Sequence, residues 1–306
     1  MYDLIVIGGG PAGLTATIYA IRKRLNVLLV TKDLGGKTNY RLALPWIEDY
    51  ERKGFSVIRG LEVIDKFRRE LEYLDFARHM ELVDNVRQNG DGFLITTRGG
   101  AELPARAVIV ATGARQKRMD VPGEKEYTMK GMCYSALSYA PLLIDRTTIV
   151  VGDGDLALRS AAELATIAKH VHVVCECTDN MDSALAQKLQ RAENVSIMKG
   201  YKVLEVKGDE FARSLLLQGP NGESTELEAD GTFIEMALNP NSGMVADVVD
   251  LDDQGRIKVD WANRTSQAGI LAAGDVTNSY AEQVLVAVGE GAKAALSAYE
   301  YLLPVL

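Results

Sequence analysis

The stretch Ile5–Ala16, IVIGGGPAGLTA, decides how this chain begins. The apolar run from Asp3 to Ile7 reads as a buried parallel strand. It passes into Gly8-Gly9-Gly10-Pro11-Ala12-Gly13, and LTATIYAIRKR after it reads as a helix. G-x-G-x-x-G therefore falls between strand and helix, where its physics applies. Gly8 permits the tight turn, Gly10 lets a pyrophosphate approach the backbone, and Gly13 lets helix and strand close up. Free N–H groups at the helix start then face the phosphates. The next strand, Asn26–Val30, ends in Thr31-Lys32-Asp33, so Asp33 comes late for an acid that holds a ribose.

The same grammar returns downstream. TTIVV leads into Gly152-Asp153-Gly154-Asp155-Leu156-Ala157, then the helix LRSAAELATIAK and the strand VHVVCE. This is G-x-G-x-x-A, and Glu176 stands roughly 20–25 residues beyond its first glycine, where an acid grips a ribose 2′-hydroxyl. Two such turns predict an α/β chain of two nested Rossmann-like domains, each a doubly wound parallel sheet that binds a dinucleotide. Alternation in MELVDNV, GFLITT and LPARAVIVATG predicts small antiparallel β add-ons.

Bulk properties agree with that class. The 306 residues suffice for two domains, and 47% are apolar. A net charge of −8 argues against a nucleic-acid groove or an anionic membrane surface as partner. Cys133, Cys175 and Cys177 are too few for a disulfide scaffold, and their odd number fits a reducing cytosol. The N-terminus opens in a strand without a basic n-region or cleavage site, so no signal peptide is expected. The apolar runs are too short to span a bilayer. The expectation is a soluble cytoplasmic protein. His79, His170 and His172 are not grouped with acids or cysteines at metal-ligand spacing, so no metal is expected. Arg22–Arg24 and Arg68-Arg69 read as solvated helix faces.

GGGPAG at Gly8, ATGA at Ala111, the second glycine turn at Gly152 and GILAAGD at Gly269 follow one another in this order. On these residues the chain resembles the low-molecular-weight thioredoxin reductases over essentially its whole length. The resemblance implies an FAD-binding domain of residues 1–115 and 241–306, with an NAD(P)-type domain, 116–240, inserted. The linkers are RQKRMDVPGE and ALNPNS, and in the family the domains rotate relative to one another. Carried over by residue, the FAD site comprises Gly8, Gly10, Pro11, Ala12 and Gly13 at the pyrophosphate. It further takes Thr31, then Gly35, Gly36, Lys37 and Thr38, where the family has Gly-Gly-Gln beside the isoalloxazine. Ala111, Thr112 and Gly113 form the inner turn, and Gly274 and Asp275 the ribityl and phosphate contact. Glu282, Gln283 and Val284 open the last helix. Gly152, Gly154, Ala157 and Glu176 are the candidate NAD residues. The family also implies a homodimer.

The departures gather before and after the second turn. Where the family has Cys-Ala-x-Cys-Asp, this chain has Ser135-Ala136-Leu137-Ser138-Tyr139. Serine forms no disulfide and offers no accessible thiolate. Tyr139, with a reference pKa near ~10, is a poor proton shuttle at neutral pH. Cys133 has no partner at hand. Cys175 and Cys177, taken as i and i+2 of a strand, would have Cα atoms about 6.6 Å apart, at the edge of disulfide reach. All three read as buried structural thiols. Arg159 replaces a family acid near the nicotinamide, and Cys175-Glu176-Cys177 replaces the cations that hold a 2′-phosphate. Lys37 is the charged residue set aside as a catalytic candidate.

The leading expectation is an FAD-dependent oxidoreductase without a redox-active dithiol, whose partner is a small redox protein such as ferredoxin or flavodoxin, a quinone or a diffusible oxidant. Ferredoxin–NAD(P) reductases of this architecture also lack the dithiol. A non-catalytic FAD-binding regulatory module is the alternative. Any nicotinamide used should be NADH rather than NADPH, with no nicotinamide use at all as the competing case.

Overall fold

Why the first strand is apolar on both sides is plain from what it separates. In the computed structural model, which describes residues 1–46, 60–176 and 183–306, β1 (Tyr2–Ile7) leads into α1 (Pro11–Arg22) and β2 (Val27–Val30). Leu4 and Val6 pack with Leu14, Ile18 and Leu29 on one face, while Ile5 and Ile7 pack with Ile95, Val245 and Val276 on the other. A strand covered on both faces has no polar positions to alternate with. After α2 (Leu61–Glu72) come β3 (Arg78–His79), β4 (Val83–Asn89), β5 (Gly92–Thr97) and β6 (Glu102–Val110). The sheet order is β3-β2-β1-β6-β5-β4. β1 pairs in parallel with β2 and β6, whereas β5 is antiparallel to both neighbours. The antiparallel add-on is thus an extension of the parallel sheet.

The chain then passes through β7 (Ala114–Gln116) to α3 (Glu124–Tyr127), β8 (Met132–Cys133), α4 (Ala136–Tyr139) and β9 (Thr147–Val151). Glu124 is buried and ties down the segment before it, accepting from the N–H of Met119 at 3.0 Å and of Asp120 at 2.7 Å. α5 (Asp155–Leu164), β10 (His170–Cys175), α6 (Ala184–Gln190) and β11 (Val195–Lys199) follow. The antiparallel strands β12 (Lys202–Gly208), β13 (Ala212–Gln218) and β14 (Ser224–Glu228) form their own sheet, and β15 (Gly231–Ile234) returns to the parallel one, ordered β11-β10-β9-β15-β8. Val150 faces the helices with Leu158 and Leu164, and Ile149 and Val151 face Val203, Leu215 and Leu217 of the antiparallel sheet. The second Rossmann-like sheet is sandwiched between those layers.

β16 (Leu238–Pro240) pairs with β7, and β17 (Ile270–Ala272) completes the first sheet beside Val108–Val110 of β6. α7 (Val284–Leu302) lies along α1 so closely that a β-carbon on Gly291 would overlap the carbonyl oxygen of Ala12. The chain divides into two compact units. One is Met1–Asn39, Arg59–Arg115 and Asn239–Leu306; the other is Tyr40–Ile58 and Gln116–Leu238. Residues 40–46 therefore depart from the expected first piece, 1–115. Leu42 and Leu44 are buried in the second unit's core, and the Trp46 indole N–H donates to the Leu142 carbonyl at 3.0 Å. Among the described residues no helix is long and apolar enough to cross a membrane.

Candidate functional site

In the first unit the glycine turn is closed at two positions and open at one. Gly8 has φ +108, and a β-carbon there would overlap the Ala111 carbonyl. One on Gly13 would overlap the Gly8 carbonyl, whereas Gly10 has no atom within 4 Å of that position. The open space at Gly10 is the cradle that a diphosphate needs, and the Ala12 and Gly13 N–H groups in the first turn of α1 have no intrahelical acceptor. Pro11 fills the first helical position, where its missing N–H costs nothing.

Three further segments meet this turn. Thr31 bonds the Asp33 carbonyl at 2.7 Å, and both press against Gly9. Asp33 is engaged locally, its carboxylate accepting the Gly36 N–H at 3.1 Å. The Gly35 N–H donates to the Gly9 carbonyl at 2.7 Å, and Thr38 closes the same turn on the Gly35 carbonyl at 2.7 Å. A β-carbon on Gly36 would lie 3.1 Å from the Gly10 Cα, and one on Gly274 (φ +79) 3.2 Å from the Ala12 Cβ. Lys37 Nζ donates to Asp275 Oδ2 at 2.9 Å. Gln283 is the N-cap of α7 and Val284 its first residue, so Glu282 precedes the helix that it was expected to open. Desolvation by its surroundings raises the Glu282 carboxyl, Lys37 pulls it back, and Asp275 raises it further.

Ala111 continues the sheet, its N–H donating to the Ile7 carbonyl at 2.8 Å. Thr112 and Gly113 are pinned by a residue that pattern reading missed. Asn241 donates from Nδ2 to the Thr112 carbonyl at 2.9 Å and accepts the Thr112 hydroxyl on its own carbonyl at 2.7 Å. Glu290 was missed as well. It accepts the Gly274 N–H at 2.7 Å and the Ser279 hydroxyl at 2.6 Å, which fixes the loop carrying Asp275. An acid amid the small residues of VGEGAKAA was the available signal.

The second unit repeats the turn with its own closures. A β-carbon on Gly152 would overlap the Glu235 carbonyl and lie 2.9 Å from the Ala157 Cβ, while Gly154 is open. The Glu176 N–H donates to Asp153 Oδ1 at 2.8 Å, so the end of β10 is tied to the turn. Gly152, Asp153, Glu176, Tyr201, Lys202 and Met236 line one cleft over the ends of β9 and β10. Glu176 is exposed there, and Arg159 is exposed on α5. Cys177 lies outside the described residues; the strand ends at Cys175, which is buried.

The segment 135–139 is held by hydroxyl and backbone hydrogen bonds. Ser135 Oγ donates to Ser138 Oγ at 3.0 Å. Behind them sits Glu235, only 2% exposed, which accepts the Ala136 N–H at 2.8 Å and the Ser160 hydroxyl at 2.9 Å on the same oxygen. Glu235 is the third residue that sequence reading did not find. Tyr139 is buried, its phenol pushed up to about 12 mainly by that burial, and burial pushes the Cys133 thiol up as well. The His170 and His172 rings lie with centroids 4.5 Å apart, tilted by 53°, and His79 lies 3.3 Å from Glu81.

Residues 2–291 match the pyridine nucleotide-disulphide oxidoreductase family. The chain is 35% identical over 307 residues to a component of the alkyl hydroperoxide reductase of Pseudomonas aeruginosa, a match covering 99% of this chain and 58% of that protein. It thus spans about three fifths of the length of the curated relatives it matches. Among solved structures it is similar to thioredoxin reductase from Streptococcus pyogenes, at 33% identity, TM-score 0.87 and 99% coverage of each chain. It is also similar to that from Giardia duodenalis, at 28% identity, TM-score 0.85 and 99% coverage of each. The chain therefore belongs to the pyridine nucleotide-disulphide oxidoreductase family and has the thioredoxin reductase fold of two nested Rossmann-like domains.

Proposed function

We propose that this chain is a flavoprotein oxidoreductase that passes electrons between FAD and an external partner without a dithiol at positions 135–138. The observation that carries the reading is the 3.0 Å hydrogen bond between Ser135 and Ser138, set in a chain whose two glycine turns are both built. When bound, FAD supplies a two-electron centre that ordinary side chains lack. The open position at Gly10 and the free N–H groups of Ala12 and Gly13 fit its diphosphate, Thr112 and Gly113 its inner edge, and Asp275 its hydroxyl-bearing chain. In the second unit Gly154 leaves the matching space for a nicotinamide dinucleotide.

Glu176 would accept the two ribose hydroxyls of NADH, and its charge opposes the 2′-phosphate of NADPH. Arg159, at the position where thioredoxin reductases carry an acid, supports the competing case of no nicotinamide use. Ferredoxin or flavodoxin, which exchange electrons without thiols, are the partner class that suits the serines. The relatives' name, which makes them part of an alkyl hydroperoxide reductase, points to a peroxide-reducing companion instead, and a route to it through 135–138 lacks the sulfur. The homodimer and the cytoplasmic location belong to the same reading. Stopped-flow mixing of the purified protein with NADH, NADPH or reduced ferredoxin tests it. Bleaching of flavin absorbance by at least one donor supports the oxidoreductase. A flavin that none of them bleaches favours the regulatory module, and turnover of an aromatic disulfide reagent that vanishes when Cys133, Cys175 or Cys177 is replaced contradicts the thiol-free route.

A further inference from the structure

The second glycine turn carries an acid at its middle position, Asp153. The first turn shows where that position points. There the middle residue is Gly9, and a β-carbon on it would overlap the Asp33 carbonyl oxygen and lie 2.7 Å from the Thr31 hydroxyl, both just beyond the end of β2. In the second unit the corresponding side chain reaches the end of the corresponding strand. Asp153 Oδ1 accepts the Glu176 N–H at 2.8 Å, one residue past β10. That strand end is where a Rossmann-like domain reads the 2′-oxygen of the adenine ribose. Asp153 and Glu176 line one cleft, in which Lys202 is the one cation among the described lining residues. Glu176 is exposed and Asp153 half-buried, so the Asp153 charge is the less screened of the two.

We propose that Asp153 is a second specificity-determining residue for the nucleotide: its carboxylate, fixed against the Glu176 backbone, repels a phosphate on the ribose 2′-oxygen and tolerates a 2′-hydroxyl. The proposal rests on the reading of the second turn as a dinucleotide seat. A phosphate monoester carries roughly 1.5 to 2 negative charges near neutral pH, so at this strand end it meets two like charges, Asp153 as well as Glu176. A ribose hydroxyl is neutral and donates to a carboxylate instead.

The test is isothermal titration of the whole chain, as purified, with ADP-ribose and with its 2′-phosphate, which carry the ribose in question and leave out the nicotinamide ring. Wild type should bind ADP-ribose roughly tenfold more tightly, or better. D153N keeps a side-chain oxygen to accept the Glu176 N–H while it removes the charge. It should narrow that ratio roughly fivefold by strengthening the 2′-phosphate compound, and leave ADP-ribose within about twofold. High KCl should remove most of this gain. In an E176Q background the same substitution should narrow the ratio further. An unchanged ratio in D153N overturns the proposal. So does an equal weakening of both compounds, which would make Asp153 a structural tie only, and so does a wild type that binds the two equally. Wild type that binds neither overturns the dinucleotide reading and this proposal with it, whereas wild type that prefers ADP-ribose beside an unchanged D153N overturns the proposal alone.

Discussion

A β-carbon on Gly13 would overlap the carbonyl oxygen of Gly8, so the first turn of α1 and the end of β1 are in contact at the limit that backbone allows. Gly13→Ala should therefore cost on the order of 1–3 kcal/mol of stability through overpacking. Gly10→Leu has room for its first carbon and should unfold near the denaturant midpoint of wild type stripped of FAD, yet take up no FAD. Urea unfolding and flavin absorbance per chain check both. A yellow Gly10→Leu protein would contradict the cradle, and a wild-type Gly13→Ala midpoint would contradict the contact.

Glu235 joins α4 to α5 by a single buried carboxylate oxygen. Glu235→Ala leaves the Ala136 N–H and the Ser160 hydroxyl without that acceptor in a dry setting, and should destabilise the protein by about 2–4 kcal/mol. Adding Ser160→Ala to that variant should cost little more, since the hydroxyl has already lost this partner. Additive losses in denaturant midpoint would show that the two do not share the bond.

Burial raises both the Cys133 thiol and the Tyr139 phenol above their unfolded values of 9.0 and 10.0. A raised folded-state pKa favours the neutral form in the fold. The contribution is complete below the unfolded value and is lost as pH climbs toward the folded one. Stability should fall from pH 9.0 toward about 12, each group adding at most about 1.4 kcal/mol per pH unit. Cys133→Ala should flatten the early part of that fall. An alkaline denaturation profile identical in slope to wild type would rule out the thiol as a contributor.

Nucleotide discrimination should follow Glu176. Binding of NADH to the oxidised protein, followed by flavin spectral perturbation, is expected to be roughly ten- to hundredfold tighter than binding of NADPH. Glu176→Arg should reverse the order, with Lys202 in the same cleft as a second cation. Equal affinities in wild type would refute the assignment.

The glycines were readable because Gly8, Gly13 and Gly152 fall at fixed spacing between a strand and a helix, even though the backbone that Gly8 and Gly152 abut, at Ala111 and Glu235, is distant in sequence. Glu235, Asn241 and Glu290 were not, because each matters through partners 75 to 99, 128 to 129, or 11 to 16 positions distant that no spacing rule predicts. Residues 40–46 were placed with the wrong unit for a related reason. YRLALPW carries no turn signal at its start, and the burial of Leu42 and Leu44 beside Leu142 and Leu143, with the Trp46–Leu142 hydrogen bond, shows where it belongs. The departures at Ser135, Ser138 and Arg159 stood out in the sequence because the frame around them was otherwise regular.

The split of the first unit orders its own assembly. Val108–Val110 of β6 must wait for Ile270–Ala272, while every strand of the second parallel sheet has been made by Ile234. On a nascent chain leaving the ribosome, the inserted sheet can close while the flanking one still offers a bare hydrophobic edge at β6. Such distant pairing raises contact order and slows the last closure, and an uncovered edge is a template for pairing with another chain. The same architecture that brings Asn241 back against Thr112 leaves that edge of the first unit uncovered until Ile270–Ala272 has been made.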